Sequence, residues 1–267
     1  MPDTVEGSIH AAELAIFERK TQSLDAASAA GLPGRFHSLC VGGLRTIMAT
    51  ADPYRFLNAV EGLDDQSVEF LPAVLKEFPG SHQPTLVATT PSQNLIGRLM
   101  GDGYAAATLR PIAYLRLSAN IQFSGITTNE WQIREVSTKK DGRLFLNLLD
   151  AGYAASSEVA ELIRAEHALP TIRGFVAARG DRPLAAAAMS SHSTGAVFGG
   201  ATTLPAARGT GAQSALLAYR LQLAKTLGIP LVTATAAPGA PSIRNLARLG
   251  FTIVERTAWR LRPSRSA

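Results

Sequence analysis

The sequence of 267 residues is poor in several features that mark particular classes of protein. It has a single cysteine, Cys40 in an apolar run, which excludes an internal disulfide and most structural zinc sites; Cys40 is expected to be buried. No apolar run approaches the ~20 residues that a membrane-spanning helix needs. The N-terminus has Asp3 and Glu6 where a signal peptide would be apolar. We therefore expect a cytoplasmic protein without a metal or a membrane partner.

The clearest local pattern is a strand, a glycine turn and a helix within residues 196–228. The side chains of residues 196–204 are typical of a strand, which Pro205 ends. Gly209 and Gly211 then form a turn without Cβ atoms to shield its amides, and a helix with a leucine stripe follows. The first amides of a helix have no internal partner and lie at the positive end of its dipole. Together with Arg208, this turn is predicted to hold a diphosphate.

Two common phosphate-binding motifs do not fit this turn. A P-loop needs Lys and then Ser or Thr after its second glycine, whereas Ala212 and Gln213 follow Gly211 here. A dinucleotide fingerprint needs a third glycine, where this chain has Ser214, and an acidic residue on the next strand. Residues 230–235 contain no acidic residue.

The loop Arg208-Gly209-Thr210-Gly211-Ala212-Gln213 resembles the acyl-CoA loop of the GNAT superfamily of N-acetyltransferases, written Gln/Arg-x-x-Gly-x-Gly/Ala. Gln213 departs from this pattern at its last position, where a small residue is usual. The segment Pro241–Phe251 resembles the next part of the family pattern, a short helix that ends in Gly-Phe before a last strand, predicted over Thr252–Leu261.

The resemblance implies an α/β (α+β) fold with a mixed, mostly antiparallel sheet flanked by helices. It implies N-acetyl transfer from acetyl-CoA to an amine of a small molecule or protein, by direct attack and without a covalent enzyme intermediate. No cysteine of the second half could carry the acyl group. A monomer or a homodimer is expected.

The resemblance also implies a set of site residues. The thioester carbonyl would be polarised by a backbone amide at the end of the strand, with Thr203 and Leu204 as the candidates. The residues expected to contact the cofactor are Thr203, Leu204, Arg208, Gly209, Thr210, Gly211, Ala212, Gln213 and Asn245. The family's usual proton donor is a tyrosine four residues before the Gly-Phe glycine, where this chain has Leu246. A non-catalytic acyl-CoA sensor is therefore the alternative function.

Candidate bases in the second half each have a structural interpretation as well. His192 is favoured as an exposed turn histidine, and His167 fits a plain loop equally well. Glu158 and Glu161 fit the N-terminus of a capped helix. Tyr153 and Tyr219 could donate hydrogen bonds, although Tyr219 lies mid-helix and fits packing better.

Acidic residues are nearly absent from the final part of the chain. Residues 204–267 contain nine Lys or Arg and one acidic residue, Glu255. A basic segment suits the phosphates of coenzyme A, but a solvated basic surface or a nucleic-acid patch would have the same composition. No nucleic-acid module or interleaved aromatics accompany the charge, so nucleic acid is the less favoured partner.

The order of elements predicts an N-terminal α/β lobe over residues 1–117, a linker over 118–129 and the GNAT domain over 130–267. Gly103-Tyr104 precedes a strand predicted over Tyr104–Leu117, as Gly250-Phe251 precedes the last strand. This echo suggests a degenerate copy of the same domain that lacks the cofactor loop, and hence a tandem arrangement. An unrelated α/β lobe is the alternative.

Overall fold

A computed structural model describes residues 4–80, 82–118 and 130–262. The predicted linker lies outside the described residues apart from Ser118. Within these ranges the helices are α1 (Val5–Ala29), α2 (Leu71–Leu75), α3 (Gln93–Gly101), α4 (Lys139–Tyr153), α5 (Ser157–His167), α6 (Ala212–Thr226) and α7 (Pro241–Arg248). The strands are β1 (Phe36–Val41), β2 (Leu44–Ala49), β3 (Ala59–Glu61), β4 (Thr85–Ala88), β5 (Tyr104–Ala107), β6 (Ile112–Arg116), β7 (Gln132–Glu135), β8 (Ile172–Arg179), β9 (Arg182–His192), β10 (Gly195–Thr203), β11 (Leu231–Thr235), β12 (Thr252–Val254) and β13 (Thr257–Leu261).

The chain forms two compact units that are not consecutive in sequence. Unit 1 takes its described residues from 1–26 and 112–253, and unit 2 from 27–111 and 254–267. The boundaries of these units differ from the predicted division at residue 117. Strand β6 precedes residue 117 but pairs with β11 in unit 1, and β13 follows it but pairs with β4 and β5 in unit 2.

Unit 1 is built on a seven-stranded sheet in the order β12-β6-β11-β10-β9-β8-β7. Its pairs β7–β8, β8–β9, β9–β10 and β6–β11 are antiparallel, and β10–β11 is parallel. The alanine run of β9 alternates between the two faces. Ala185 and Ala187 pack in the core that α6 covers, whereas Ala186 and Ala188 pack in the core that α4 covers. Small side chains let both helices approach the strand that lies beside β10.

Unit 2 contains a six-stranded sheet in the order β1-β2-β3-β4-β13-β5. The pair β3–β4 is parallel, and its neighbours on both sides are antiparallel. In both sheets an antiparallel run leads to one parallel pair, and the next strand comes from a distant part of the chain. The degenerate-copy hypothesis stays a prediction.

Asp52–Leu57 forms a 3₁₀ helix, because Pro53 favours a helical start there. Two strand predictions were wrong in detail. The predicted strand Tyr104–Leu117 is interrupted before Pro111, which has no amide proton for a ladder. The predicted strand Thr252–Leu261 is likewise two strands, and these lie in different sheets.

Two general features of the chain complete the description. Cys40 is exposed rather than buried, because it lies on β1 at the edge of the unit 2 sheet. Among the residues that the structure describes, no helix has both the length and the apolar character needed to cross a membrane.

Candidate functional site

An opening in the unit 1 sheet lies where β10 and β11 separate. Their parallel register ends with Phe198 opposite Ala234, while β10 continues to Thr203. The Leu204 amide donates to the Leu184 carbonyl at 2.9 Å, so this candidate N–H is committed to the β9 side. Because successive amides of a strand point to opposite sides, the Thr203 N–H points toward the opening. Of the two backbone candidates, the structure therefore leaves Thr203 available.

The predicted anion loop follows this opening directly. Gly209 and Gly211 adopt φ angles of 77° and 87°, which a side chain would strain. The first bond within α6 runs from the Ala215 amide to the Gly211 carbonyl at 3.0 Å. The amides of the first turn, Ala212 and Gln213 among them, therefore have no partner within the helix. Exposed backbone donors and the dipole of a 15-residue helix converge at this point.

Three side-chain hydrogen bonds hold the loop. The Thr210 hydroxyl donates to the Ala207 carbonyl at 2.6 Å, and the Trp131 indole N–H donates to the Thr210 carbonyl at 3.2 Å. Arg208 is exposed, and its Nε donates to the Thr203 carbonyl at a long 3.4 Å. The Arg208 guanidinium thus carries a full positive charge beside the free amides.

Gln213, the residue that departs from the family pattern, turns back toward the sheet. Its Nε2 donates to the Thr202 carbonyl at 2.5 Å and to the Thr203 hydroxyl at 3.0 Å. The Ala186 carbonyl lies 3.3 Å away. The longer side chain at this position therefore binds the end of β10.

In unit 2, the loop after β3 is the counterpart of the glycine loop after β10, because each follows the first strand of the parallel pair in its sheet. A carboxylate of this unit 2 loop binds the loop's own amides. The Asp64 carboxylate accepts the amides of Gln66 and Ser67 at 2.9 and 2.6 Å. Burial raises the pKa of Asp64, but the hydrogen bonds from Ser67 and Gln66 outweigh burial and hold it below its usual value. The Asp64 carboxylate thus already binds the two backbone amides that a phosphate would need.

The two candidates on α7 have different environments. Asn245 is partly exposed, and its side-chain oxygen accepts from Arg248 at 3.4 Å. Leu246 is only 3% exposed and belongs to the core shared by α6 and the sheet. The position at which the family pattern has a tyrosine is therefore a packing position in this chain.

The two candidate histidines are buried, so the expectations of an exposed turn and a plain loop were wrong. His167 ends α5, donates from Nδ1 to the Ile163 carbonyl at 2.8 Å, and has Nε2 3.3 Å from Arg19 Nη2. His192 ends β9 with a fully buried side chain. Its Nε2 lies at hydrogen-bond distance, 2.7 Å, from the Ser190 hydroxyl, which also accepts from Arg19 at 3.0 Å.

Both imidazoles are therefore poor candidates for a free base. Burial lowers the pKa of His167, partly offset by Glu166, and burial likewise lowers the pKa of His192, partly offset by Glu18. In His167, Nδ1 donates to the Ile163 carbonyl, so Nε2 carries the lone pair and already accepts from Arg19. Arg19, which also pairs with Glu166 at 2.7 Å, connects the two histidines.

The remaining titratable candidates lie on helix surfaces. Glu158 is partly exposed at the start of α5, where a backbone amide and the hydroxyls of Ser156 and Ser157 lower its pKa. Glu161 is exposed. Tyr219 packs its ring 5.6 Å from that of Phe175. These environments match capping and packing roles.

The sequence analysis missed one buried residue beside the site, Arg220. It was counted among the basic residues of the last segment, yet it is 1% exposed. Its Nη1 donates to the Ala188 carbonyl at 2.8 Å, and its guanidinium lies 4.6 Å from the centre of the Phe198 ring. The sequence contained a signal for the burial of Arg220, because this residue lies on the same helical stripe as Leu217 and Leu221.

No protein-family model matches the sequence, and no curated protein matches it significantly. Solved structures do share its fold. A GCN5-related N-acetyltransferase from Kribbella flavida superposes with a TM-score of 0.59 at 17% identity, over 90% of this chain and 93% of that one. A GCN5-related N-acetyltransferase from Sphaerobacter thermophilus gives 0.53 at 14% identity, over 83% and 78%. A protein of unknown function from Bacteroides thetaiotaomicron gives 0.58 at 10% identity, over 97% and 98%.

These similarities extend over most of this chain and of each neighbour. Identities of this size concern the fold alone. The chain has the fold of the GNAT N-acetyltransferases.

Proposed function

We propose that unit 1 binds acetyl-CoA and transfers its acetyl group to an amine by direct attack. The observation that carries the proposal is that the β10–β11 pairing ends at Phe198 and Ala234, while β10 continues into the Gly209–Gly211 turn and the first amides of α6, which have no partner within the helix. An acyl group and a diphosphate need these two environments. The acceptor class, a small-molecule or protein amine, and a cytoplasmic location remain predictions.

In this proposal the chain positions the cofactor mainly through its backbone. The amides of residues 209–213 and the Arg208 guanidinium hold the diphosphate, and Asn245 contacts the cofactor from α7. Acetyl-CoA supplies the activated acyl group. The Thr203 N–H donates to the acyl carbonyl and stabilises the negative charge that develops there. Because His167 and His192 are already engaged, the proton of the attacking amine passes to water.

The alternative is an acyl-CoA sensor without catalysis. The buried Leu246 favours it, because no acid from that position can protonate the departing sulfur. A free thiol has a pKa near ~8.5, so a thiolate is a tolerable leaving group and water can complete the step. An amine screen under saturating acetyl-CoA separates the two functions, since only the enzyme releases free thiol.

The diphosphate cradle of this proposal comprises the Arg208 guanidinium and the amides of residues 209–213. Calorimetric titration with acetyl-CoA tests whether this cradle binds the cofactor. We expect one site per chain, because the Asp64 carboxylate fills the corresponding loop of unit 2. Arg208→Ala should weaken binding by about 10-fold or more, the size of a lost charge-assisted contact. Gly211→Asp should abolish binding, because it adds strain at φ 87° and a negative charge.

The matched control is Arg182→Ala, which removes an exposed arginine from the first position of β9. This variant should bind as the unmodified chain does. Absence of binding at millimolar acetyl-CoA would overturn both the enzyme and the sensor, and equal losses in the control would assign the effect to overall charge.

A further inference from the structure

The register between β9 and β10 shifts directly before the proposed acyl site. Gly199 lies opposite Ala188, and the next pair of partners is Thr202 opposite Ala186. Two residues of β10, Gly200 and Ala201, therefore share one position of β9, as in a β-bulge. A bulge re-aims the strand that follows it, and the residue after Thr202 is Thr203.

Two side chains of α6 bind the two edges of this bulge. Arg220 donates to the Ala188 carbonyl at 2.8 Å, the last position before the shift. Gln213 donates to the Thr202 carbonyl and lies within reach of the Ala186 carbonyl, the first pair after it. Gln213 and Arg220 are seven residues apart, so they lie on one face of α6, two turns from each other.

The hydrogen bonds of Arg220 are directional and are shielded from solvent. Arg220 is 1% exposed, and burial lowers its pKa to about 9, so it remains charged at neutral pH. Its guanidinium donates through both Nε and Nη1 to carbonyls, those of Leu216 and Ala188. A rigid planar donor set of this kind fixes geometry better than a flexible ammonium group would.

We infer that Gln213 and Arg220 are positioning residues that lock the bulge of β10 and thereby aim the Thr203 N–H at the acyl carbonyl. The inference rests on the proposed function. It assigns a role to the glutamine that departs from the family pattern and to a buried arginine that contacts neither the loop nor its phosphate donors in this structure.

A pair of ligands that differ only in the acyl carbonyl tests the inference without knowledge of the acceptor. Acetyl-CoA has the carbonyl, and S-ethyl-CoA replaces it with a methylene group. Calorimetry on the full chain gives the ratio of their dissociation constants. One hydrogen bond to the carbonyl corresponds to about fivefold tighter binding of acetyl-CoA. Gln213→Leu and Arg220→Met should reduce this ratio toward one while S-ethyl-CoA still binds through the cradle.

The controls distinguish a change in the direction of the Thr203 N–H from a loss of folding. Gln222→Leu makes the same chemical change at an exposed position of α6 and should keep the unmodified ratio. Arg220→Lys retains a donor and should recover part of the preference that Arg220→Met loses. Gln213 is only partly buried, so Gln213→Leu keeps the test available if the core variant fails to fold.

The outcomes are distinguishable. If neither ligand binds the unmodified chain, the proposed function fails and the inference fails with it. If both ligands bind but the unmodified chain shows no preference, or Gln213→Leu keeps the full preference, the positioning role is overturned while the cradle stands. Loss of the preference in Gln213→Leu, with the control unchanged, supports it.

Discussion

At the scale of single residues, the most constrained group of unit 1 is the buried polar cluster around Arg19. Glu166, His167 and Ser190 all contact its guanidinium. Gly200 adopts a φ of 55°, and a Cβ there would lie 2.5 Å from His167 Nε2. The cluster therefore accommodates neither a side chain at the bulge nor a second proton on His167.

The cluster predicts a loss of stability on acidification. Because burial lowers the folded-state pKa of His167, the folded state binds fewer protons than the unfolded state. The stabilising contribution is present above the unfolded value near ~6.5 and is lost as pH falls through the folded value. The unfolding free energy of unit 1 should therefore decrease between pH 7.5 and 5.5 because of this residue, by at most about 1.4 kcal/mol per pH unit for its one proton.

Urea unfolding measured by Trp131 emission in a Trp259→Phe background checks this value. His167→Gln cannot take up the proton and should show a smaller decrease over the same pH range. An equal decrease in both chains would assign the acid sensitivity to other groups. His192, whose pKa burial also lowers, adds a change of the same sign to both chains.

At the scale of elements, α4 carries two glycines with opposite expected behaviour. A Cβ added to Gly142 would meet no atom closer than the Val136 side chain at 3.9 Å, an ordinary contact. A Cβ added to Gly152 would overlap the Thr202 hydroxyl oxygen. Gly152 therefore lets α4 approach the part of β10 that follows the bulge.

The pair gives a matched prediction for one helix. Gly142→Ala should raise the free energy of unfolding by about 0.5–1 kcal/mol, the helix-propensity difference. Gly152→Ala should lower it by about 1–3 kcal/mol, because overpacking against β10 outweighs the same propensity gain. Thermal or urea unfolding measures both, and a stabilising Gly152→Ala would contradict the close packing of α4 on β10.

At the scale of the whole molecule, the exchanged strands make each unit depend on a distant part of the chain. Strand β13 lies between β4 and β5, and Trp259 on β13 is 2% exposed in the unit 2 core. Without β13 the unit 2 sheet would lose the strand that joins β5 to the rest, together with a large buried side chain.

Removal of residues 256–267 should therefore destabilise residues 27–111, although the two segments are far apart in the sequence. We expect limited proteolysis to cleave unit 2 first, with fragments identified by mass spectrometry, while unit 1 remains protected. Trp259→Ala in the full-length chain is a milder version, expected to cost about 3–5 kcal/mol as a large-to-small change in a core. Equal protection of both units after truncation would contradict the central place of β13.

Local chemistry in the sequence was enough to predict the elements of the site. The side chains of residues 196–204 predicted most of β10, the two glycines predicted the turn that follows, and the leucine stripe predicted α6. These features depend on neighbours in the chain, which is why they could be derived without a structure. The fold class was implied by the resemblance of the loop and of Pro241–Phe251 to the GNAT pattern.

Only the tertiary structure decided which groups meet. Strands β6 and β13 exchange between the units because sheet pairing depends on distant partners, which no local pattern specifies. The buried states of His167, His192 and Arg220 depend on α1 and on the β10 bulge, which bring Arg19 and Ala188 to them from far along the chain. The sequence by itself determined the glycine turn before α6; the pairing of β9 with β10 determined that the Leu204 N–H is bonded to Leu184 and that the Thr203 N–H points away from β9.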